Sequence, residues 1–204
     1  MSGLPELNEI KTPAVTPRSE CEGVTGNFTG ECRWFAVWTK SRQEKVAAAM
    51  INSLGVANYL PLKTESRQWS DRRQTVTVPL FSGYLFVRMN PLSPNKIRIL
   101  SVPGVAGFVG NSRGPLPIPD HQIKAVRTVV SQGIDCTVHP LTAEAPFEKG
   151  DLVRVVRGAL AGVEGRLVRV NSSSRLVISI EMIHRSLALS ISRGDVELVR
   201  SRAT

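Results

Sequence analysis

Residues 79–89 read "PLFSGYLFVRM", and the reading of this stretch decides the fold. It is rich in aromatic and β-branched residues, which marks a strand. Successive side chains of a strand point to opposite faces. Counted straight through, Leu80, Tyr84 and Phe86 share one face, and Phe81, Leu85 and Val87 share the other. Both faces are apolar. One can lie on the chain's own helices; the other needs a cover as well.

Working outward, the flanking segments supply the rest of a domain. Upstream, "RWFAVWTK" (33–40) is a second aromatic, β-branched strand. Ser41 with Glu44 three residues on fits a capping box at a helix start. Val46, Met50 and Leu54 recur every fourth residue, with Ala47 and Ile51 beside them, so one helical face is expected there. Gly55 is a natural stop. "NYLPL" reads as a strand, and "KTESRQWSDRRQTVTV" (63–78) as a polar, basic, protruding hairpin or loop. Downstream, Ser93-Pro94 opens a short helix with Pro at its first position. "VAGFVG" is a further strand, and Asp120 is expected to cap a last helix carrying Ile123, Val126 and Val130 and ended by Gly133. The order strand–helix–strand–strand–helix–strand, plus one helix, is the split β-α-β, ferredoxin-like pattern.

The remaining segments differ in kind. Residues 1–32 are rich in Pro, Glu, Thr and Gly without periodicity and read as a disordered tail. Residues 134–146 contain Pro140 and Pro146 and read as a linker. After them the pattern is strands only: "DLVRVVRG", "GRLVRV", "RLVISIEMI", "RSLALSIS" and "VELV", separated by Gly- or Ser-rich turns. Leu176, Ile178, Ile180 and Met182 alternate with Val177, Ser179 and Glu181, and Leu187, Leu189 and Ile191 alternate with Ala188 and Ser190. Five short strands in this space indicate a small barrel. The clean period of two gives no reason to expect a helical alternative.

Composition narrows the function. No apolar run approaches the ~18 residues that cross a bilayer, and the N-terminus lacks the basic start and apolar stretch of a secretion signal, so a cytoplasmic protein is expected. Cys21, Cys32 and Cys136 are far apart, odd in number and without a C-x-x-C pair, which argues against a disulfide framework and against zinc. His121, His139 and His184 are scattered, so no metal site is expected. The net charge of +9 is uneven: residues 1–32 carry −3, residues 33–133 carry +10, and residues 134–204 carry +2. A basic field of this kind attracts polyanions, of which nucleic acid is the usual one.

No catalytic constellation holds up. There is no nucleophile elbow, H-E-x-x-H pair, P-loop or dinucleotide fingerprint. "RGALAGVEGR" is glycine-rich, yet it lies between strands with no helix to receive a phosphate, so turn glycines account for it. A non-enzymatic protein without a cofactor is expected.

With these pieces in order, the chain resembles the NusG-type transcription elongation factors, closest to the specialised paralogues of the RfaH and UpxY kind. The stretches that carry the resemblance are "RWFAVWTK", "PLFSGYLFVRM", "VPGVAGFVG" and "KGDLVRVVRGALAGVEGRLVRV". The resemblance implies an α+β fold. A ferredoxin-like α/β sandwich, the NusG N-terminal domain, spans 33–133, and a small SH3-like five-stranded β-barrel, the KOW domain, spans 147–200.

The resemblance also assigns surfaces. An exposed aromatic patch formed by Trp38, Phe81, Tyr84, Phe86 and Phe108 would dock on RNA polymerase, at the clamp helices of its largest subunit; exposed apolar patches mark partner sites. Trp34 matches the family's opening aromatic, and both the patch and the core are open to it. Lys40, Arg42, Gln43 and Lys45 at the first helix, with Arg67, Trp69, Arg72 and Arg73 in the hairpin, would hold the non-template DNA strand. Cations would contact phosphates there, Gln43 a base edge and Trp69 an unpaired base. Asn95 and Lys96 stand where some paralogues touch the opposite side of the polymerase cleft. In the KOW domain Leu160 and Val163 match the partner-binding loop. Val163 stands where the housekeeping factor usually carries Phe, so Rho binding is expected to be weak or absent, with a ribosomal protein as the remaining partner.

The implied function is suppression of pausing and termination on a specific long operon, by a monomer with no membrane contact. Two alternatives remain at this level: a housekeeping factor coupled to Rho or the ribosome, and a KOW-type RNA- or ribosome-binding protein.

Overall fold

The computed structural model describes residues 30–69, 72–141, 150–170 and 173–200. Residues 1–29 of the expected tail and residues 142–149 of the expected linker lie outside them. The first part runs β1 (Arg33–Thr39), α1 (Glu44–Ser53), β2 (Asn58–Tyr59), β3 (Leu62–Trp69), β4 (Arg72–Pro79), β5 (Tyr84–Met89), α2 (Asn95–Leu100), β6 (Val105–Phe108), β7 (Gly110–Asn111), β8 (Gly114–Pro115), β9 (Pro117–Ile118) and α3 (Asp120–Ser131). Its sheet has the order β2-β5-β1-β6, all antiparallel, with β9 added to β1. This is the ferredoxin-like order the sequence pattern predicts. β3 and β4 pair along their whole length as a separate hairpin, from Leu62 opposite Pro79 to Trp69 opposite Arg72.

The central strands are apolar on both faces because both faces are covered. Phe35 and Val37 of β1, with Leu85, Val87 and Met89 of β5, pack on Ala47 and Ile51 of α1 and Ile99 of α2. On the reverse, Trp34, Ala36 and Phe86 pack with Ile123, Val126 and Val129 of α3. Arg127 of α3 lies 4.8 Å from the ring centres of both Trp34 and Tyr59, a cation held by two aromatic faces.

Several local expectations are corrected. Glu44 closes no capping box. Helix α1 begins at Glu44 itself, after a turn in which Arg42 takes φ 60°, and no side chain caps it. The buried Glu44 carboxylate instead accepts the amide of Gly83 at 2.8 Å. Asp120 is the first residue of α3 and not its cap, and its carboxylate faces Arg88 at 3.6 Å. Pro94 precedes α2 as its N-cap residue. The buried stripe of α1 runs through Ala47 and Ile51, which leaves Val46 and Met50 exposed. An odd cysteine count speaks against a set of bridges and not against a single one: Cys32 is disulfide-bonded, and Cys136 is a free thiol.

The second part is all strand: β10 (Thr137–Pro140), β11 (Asp151–Val155), β12 (Glu164–Val170), β13 (Ser173–Ile180), β14 (Arg185–Ser190) and β15 (Val196–Arg200), in the order β10-β14-β13-β12-β11-β15. Five of these are the expected strands. The sixth, β10, comes from the segment read as linker. Leu176 opposite Leu189 and Ile178 opposite Leu187 fill the core with Val153 and Val155. Gly165 is obligatory, since a Cβ there would meet the Val177 carbonyl oxygen at 2.7 Å. The core of this sheet and the α3 face of the first sheet form one continuous apolar cluster. No helix among the described residues is long and apolar enough to cross a membrane.

Candidate functional site

The aromatic residues expected to form one bare patch are divided by the sheet. Antiparallel pairing sets Trp38 opposite Tyr84, and their rings meet edge to face at 6.0 Å. Trp38 is 50% exposed and Tyr84 is half-buried. This pair is the open end of the face.

Phe86 lies two residues further along β5 and is fully buried, stacked with Tyr59 at 6.5 Å. Phe81 is only 2% exposed and packs edge to face on Phe86 at 6.0 Å. Phe81 and Phe86 are therefore interior in this arrangement and not open surface. Phe81 also joins the face of Tyr84 and Phe86, because the strand is broken before Tyr84. The turn through Gly83, at φ 81°, resets the alternation, so parity counted from residue 79 does not apply. Phe108 is placed on the opposite face: it pairs with Val37 and packs toward the cluster of α1 and α2, away from Trp38 and Tyr84.

The basic flank is partly assembled. Lys40, Arg42, Gln43 and Lys45 are all exposed at the start of α1. Lys45 reaches the hairpin, where its ammonium donates to the Thr77 carbonyl at 2.8 Å. The helix start and β4 thus stand side by side. The backbones of Arg67, Trp69, Arg72 and Arg73 lie at the far end of that hairpin, and their side chains lie outside the described part of the structure.

Asn95 and Lys96 are half-buried at the beginning of α2. Around them stand three apolar side chains that the sequence reading passed over: Leu92, Ile97 and Leu100 are all exposed, Ile97 at 71%. The signal was present in "PLSPNKIRIL", where Ile97 and Leu100 share a helical face that Ile99 does not.

In the second sheet, Leu160 and Val163, matched to the partner-binding loop, are both buried. The turn between Gly158 and Gly162, both at positive φ, folds back so that the Val163 amide donates to Leu160 and the Gly162 amide to Val155 at 2.7 Å. That fold turns both side chains into the apolar cluster.

Two titratable groups are shifted by burial. Burial pushes the Tyr59 phenol far above its ordinary value, with Arg127 opposing. Burial also holds the Cys136 thiol up, which Lys63 partly offsets, so it is a poor nucleophile. No group of three or more His, Cys, Asp or Glu side chains converges among the described residues.

Comparison with known proteins finds relatives of one kind. Residues 32–127 match the family model described as transcription termination factor nusG. The chain is 29% identical over 154 residues to the transcription termination/antitermination protein NusG of Thermus thermophilus, covering 68% of this chain and 82% of that one. It is 24% identical over 182 residues to the protein of the same name from Lactococcus lactis, covering 82% and 94%. A solved structure of Thermotoga maritima NusG, 21% identical, covers 83% of this chain and 98% of its own, with a TM-score of 0.46. The class is that of transcription termination/antitermination factors. Residues 32–127 are thus similar to the NusG family.

Proposed function

We propose that this protein binds RNA polymerase through the Trp38–Tyr84 end of its first sheet and the non-template DNA strand through the adjacent basic flank, suppressing pausing and termination on a specific long operon. One observation carries the reading. On a face otherwise sealed, a half-exposed indole set edge to face against a tyrosine stands within one turn of chain from Lys40, Arg42 and Gln43. Aromatic anchors dominate interface energies, and cations beside them supply phosphate contacts that need no sequence.

Trp38 and Tyr84 are the anchors on the clamp helices of the largest subunit. Phe81 and Phe86 set their position from behind. Lys40, Arg42, Gln43 and Lys45, continued by Arg67, Trp69, Arg72 and Arg73, hold the displaced strand. Asn95 and Lys96, framed by Leu92, Ile97 and Leu100, face the opposite side of the cleft. Bridging the cleft favours the elongating state by differential binding. A gain of ~1.4 kcal/mol changes pause occupancy about tenfold, and the DNA share of it falls as salt rises.

The units 33–133 and 147–200 divide this work. The second recruits a ribosomal protein in the cytoplasm, with little affinity for Rho, because Val163 is turned into the apolar cluster and offers Rho no open apolar contact.

A run-off assay through a terminator with purified polymerase tests the reading. Tyr84→Ala loses polymerase binding at least tenfold. Arg72→Ala/Arg73→Ala keeps binding and loses read-through. Unchanged read-through in both variants refutes the assignment, and tight capture of Rho by the full chain refutes the specialised role.

A further inference from the structure

The short helix α2 presents an apolar face to solvent. Ile99 turns into the core, while Ile97 and Leu100, three residues apart on one side of the helix, stand exposed. Leu92, in the loop before the helix, adds a third exposed side chain, at 68%. Exposed apolar side chains grouped in this way mark a place where something docks.

The chain itself brings a segment to this place. Gly30 lies so close to the Asn90 carboxamide that a Cβ on it would meet Asn90 Oδ1 at 2.5 Å. The same Oδ1 accepts the Leu92 amide at 2.9 Å. Gly30 and Leu92 thus meet on one side-chain oxygen, and the chain that precedes Gly30 starts at the edge of the α2 face. Ten residues, 20–29, can extend over roughly 35 Å. The six residues of α2 span roughly 9 Å. Reach is therefore no obstacle, and the stretch nearest to Gly30 closes the shortest loop, at the smallest entropic cost.

The chemistry of that stretch fits the face. Residues 20–29 read "ECEGVTGNFT". Phe28 is the only aromatic residue among residues 1–29, and it stands two positions before Gly30. Val24 supplies a second apolar side chain, and Glu20 and Glu22 are the only charged residues of the stretch. Helix α2 carries Lys96 and Arg98 and no acid, and the sequence has no acidic residue between Asp71 and Asp120. Opposite charges across a contact steer it and fix its register.

We propose that residues 20–29 dock on the α2 face, with the Phe28 ring against Leu92 and Ile97 and the two glutamates toward Lys96 and Arg98. In the function proposed above, the α2 side of the cleft contact is then a joint surface of the helix and this segment. That consequence rests on that function; the docking does not.

The test uses the full chain with labelled Ile, Leu and Val methyl groups. In the wild type, nuclear Overhauser contacts are expected from the Phe28 ring to the Leu92 and Ile97 methyls, with both sets of methyl resonances moved upfield by the ring current. Phe28→Ala is expected to abolish the upfield shift at both residues and to leave the methyls of the buried Ile51 and Leu85 in place. Glu20→Lys/Glu22→Lys is expected to move the Leu92 and Ile97 resonances part of the way to their Phe28→Ala positions, and added salt to do the same to the wild type. Leu92 and Ile97 methyls that hold their wild-type positions in Phe28→Ala, with no Overhauser contact to the ring in the wild type, overturn the docking. Contacts found only between differently labelled molecules in a mixed sample also overturn it, because the occupant would then be a second copy of the chain. None of these readouts involves polymerase, so failure of the docking and failure of the polymerase reading are distinguishable.

Discussion

The two faces of the first sheet come from the same strands and meet different fates. Phe35, Val37, Leu85 and Val87 point toward α1 and α2 and are shut completely. Trp34, Ala36, Phe86, Tyr84 and Trp38 point the other way, and cover is uneven along them. At the Trp34–Tyr59 end α3 closes the face, with Arg127 clasped between the rings. At the Trp38–Tyr84 end the cover gives out, and half of an indole remains in solvent. Apolar character alone therefore does not tell a closed face from an open one. What separates them is how far the covering helix reaches.

Substitutions on the two faces can break that contrast. The largest effect is expected from Phe35→Ala, which empties a closed core site and costs about 3–5 kcal/mol in denaturant unfolding. Glu44→Ala strips the Gly83 amide of its acceptor and is expected to cost about 1–3 kcal/mol by the same measurement. Arg127→Ala removes the cation between Trp34 and Tyr59 and is expected to lose about 0.5–2 kcal/mol, of which Arg127→Lys recovers only part, because an ammonium cannot lie flat between two rings. Trp38→Ala is expected to change stability by less than about 1 kcal/mol while polymerase capture falls at least tenfold; a stability loss as large as that of Phe35→Ala would erase the distinction between the faces. The smallest effect belongs to Val46→Ser, within about 0.5 kcal/mol, since Val46 lies on the exposed side of α1.

The succession of strands and helices was legible because periodicity is local. "RWFAVWTK", the hairpin from Lys63 to Val78 and the alternation of Leu176 to Ile180 each announce themselves within a few residues. What escaped is what depends on partners distant in sequence. Phe108 faces away from Tyr84 because of its pairing with Val37, a register fixed only when β6 meets β1. Phe81 changes sides because Gly83 turns the chain, which no count of alternate residues reveals. Glu44 shows a correct capping pattern, yet its carboxylate finds the Gly83 amide 39 positions away. β10 carries a proline and no period, so nothing in the segment itself marks it as a strand; β14 supplies the pattern from outside. Of the candidate site, residue types were readable and their arrangement was not. Ile97 and Leu100 went unnoticed because an apolar residue on a short helix looks the same in sequence whether it faces inward or outward.

The Glu44–Gly83 hydrogen bond has a mechanical meaning. Glu44 belongs to the first turn of the helix whose entrance carries Arg42 and Gln43, and Gly83 is the hinge immediately before Tyr84, itself tied by its carbonyl to the Thr39 amide at 2.9 Å. The bracket that mounts the cations and the bracket that mounts the rings are bolted together. Load applied to one is transmitted to the other, and the angle between the two is set within the protein.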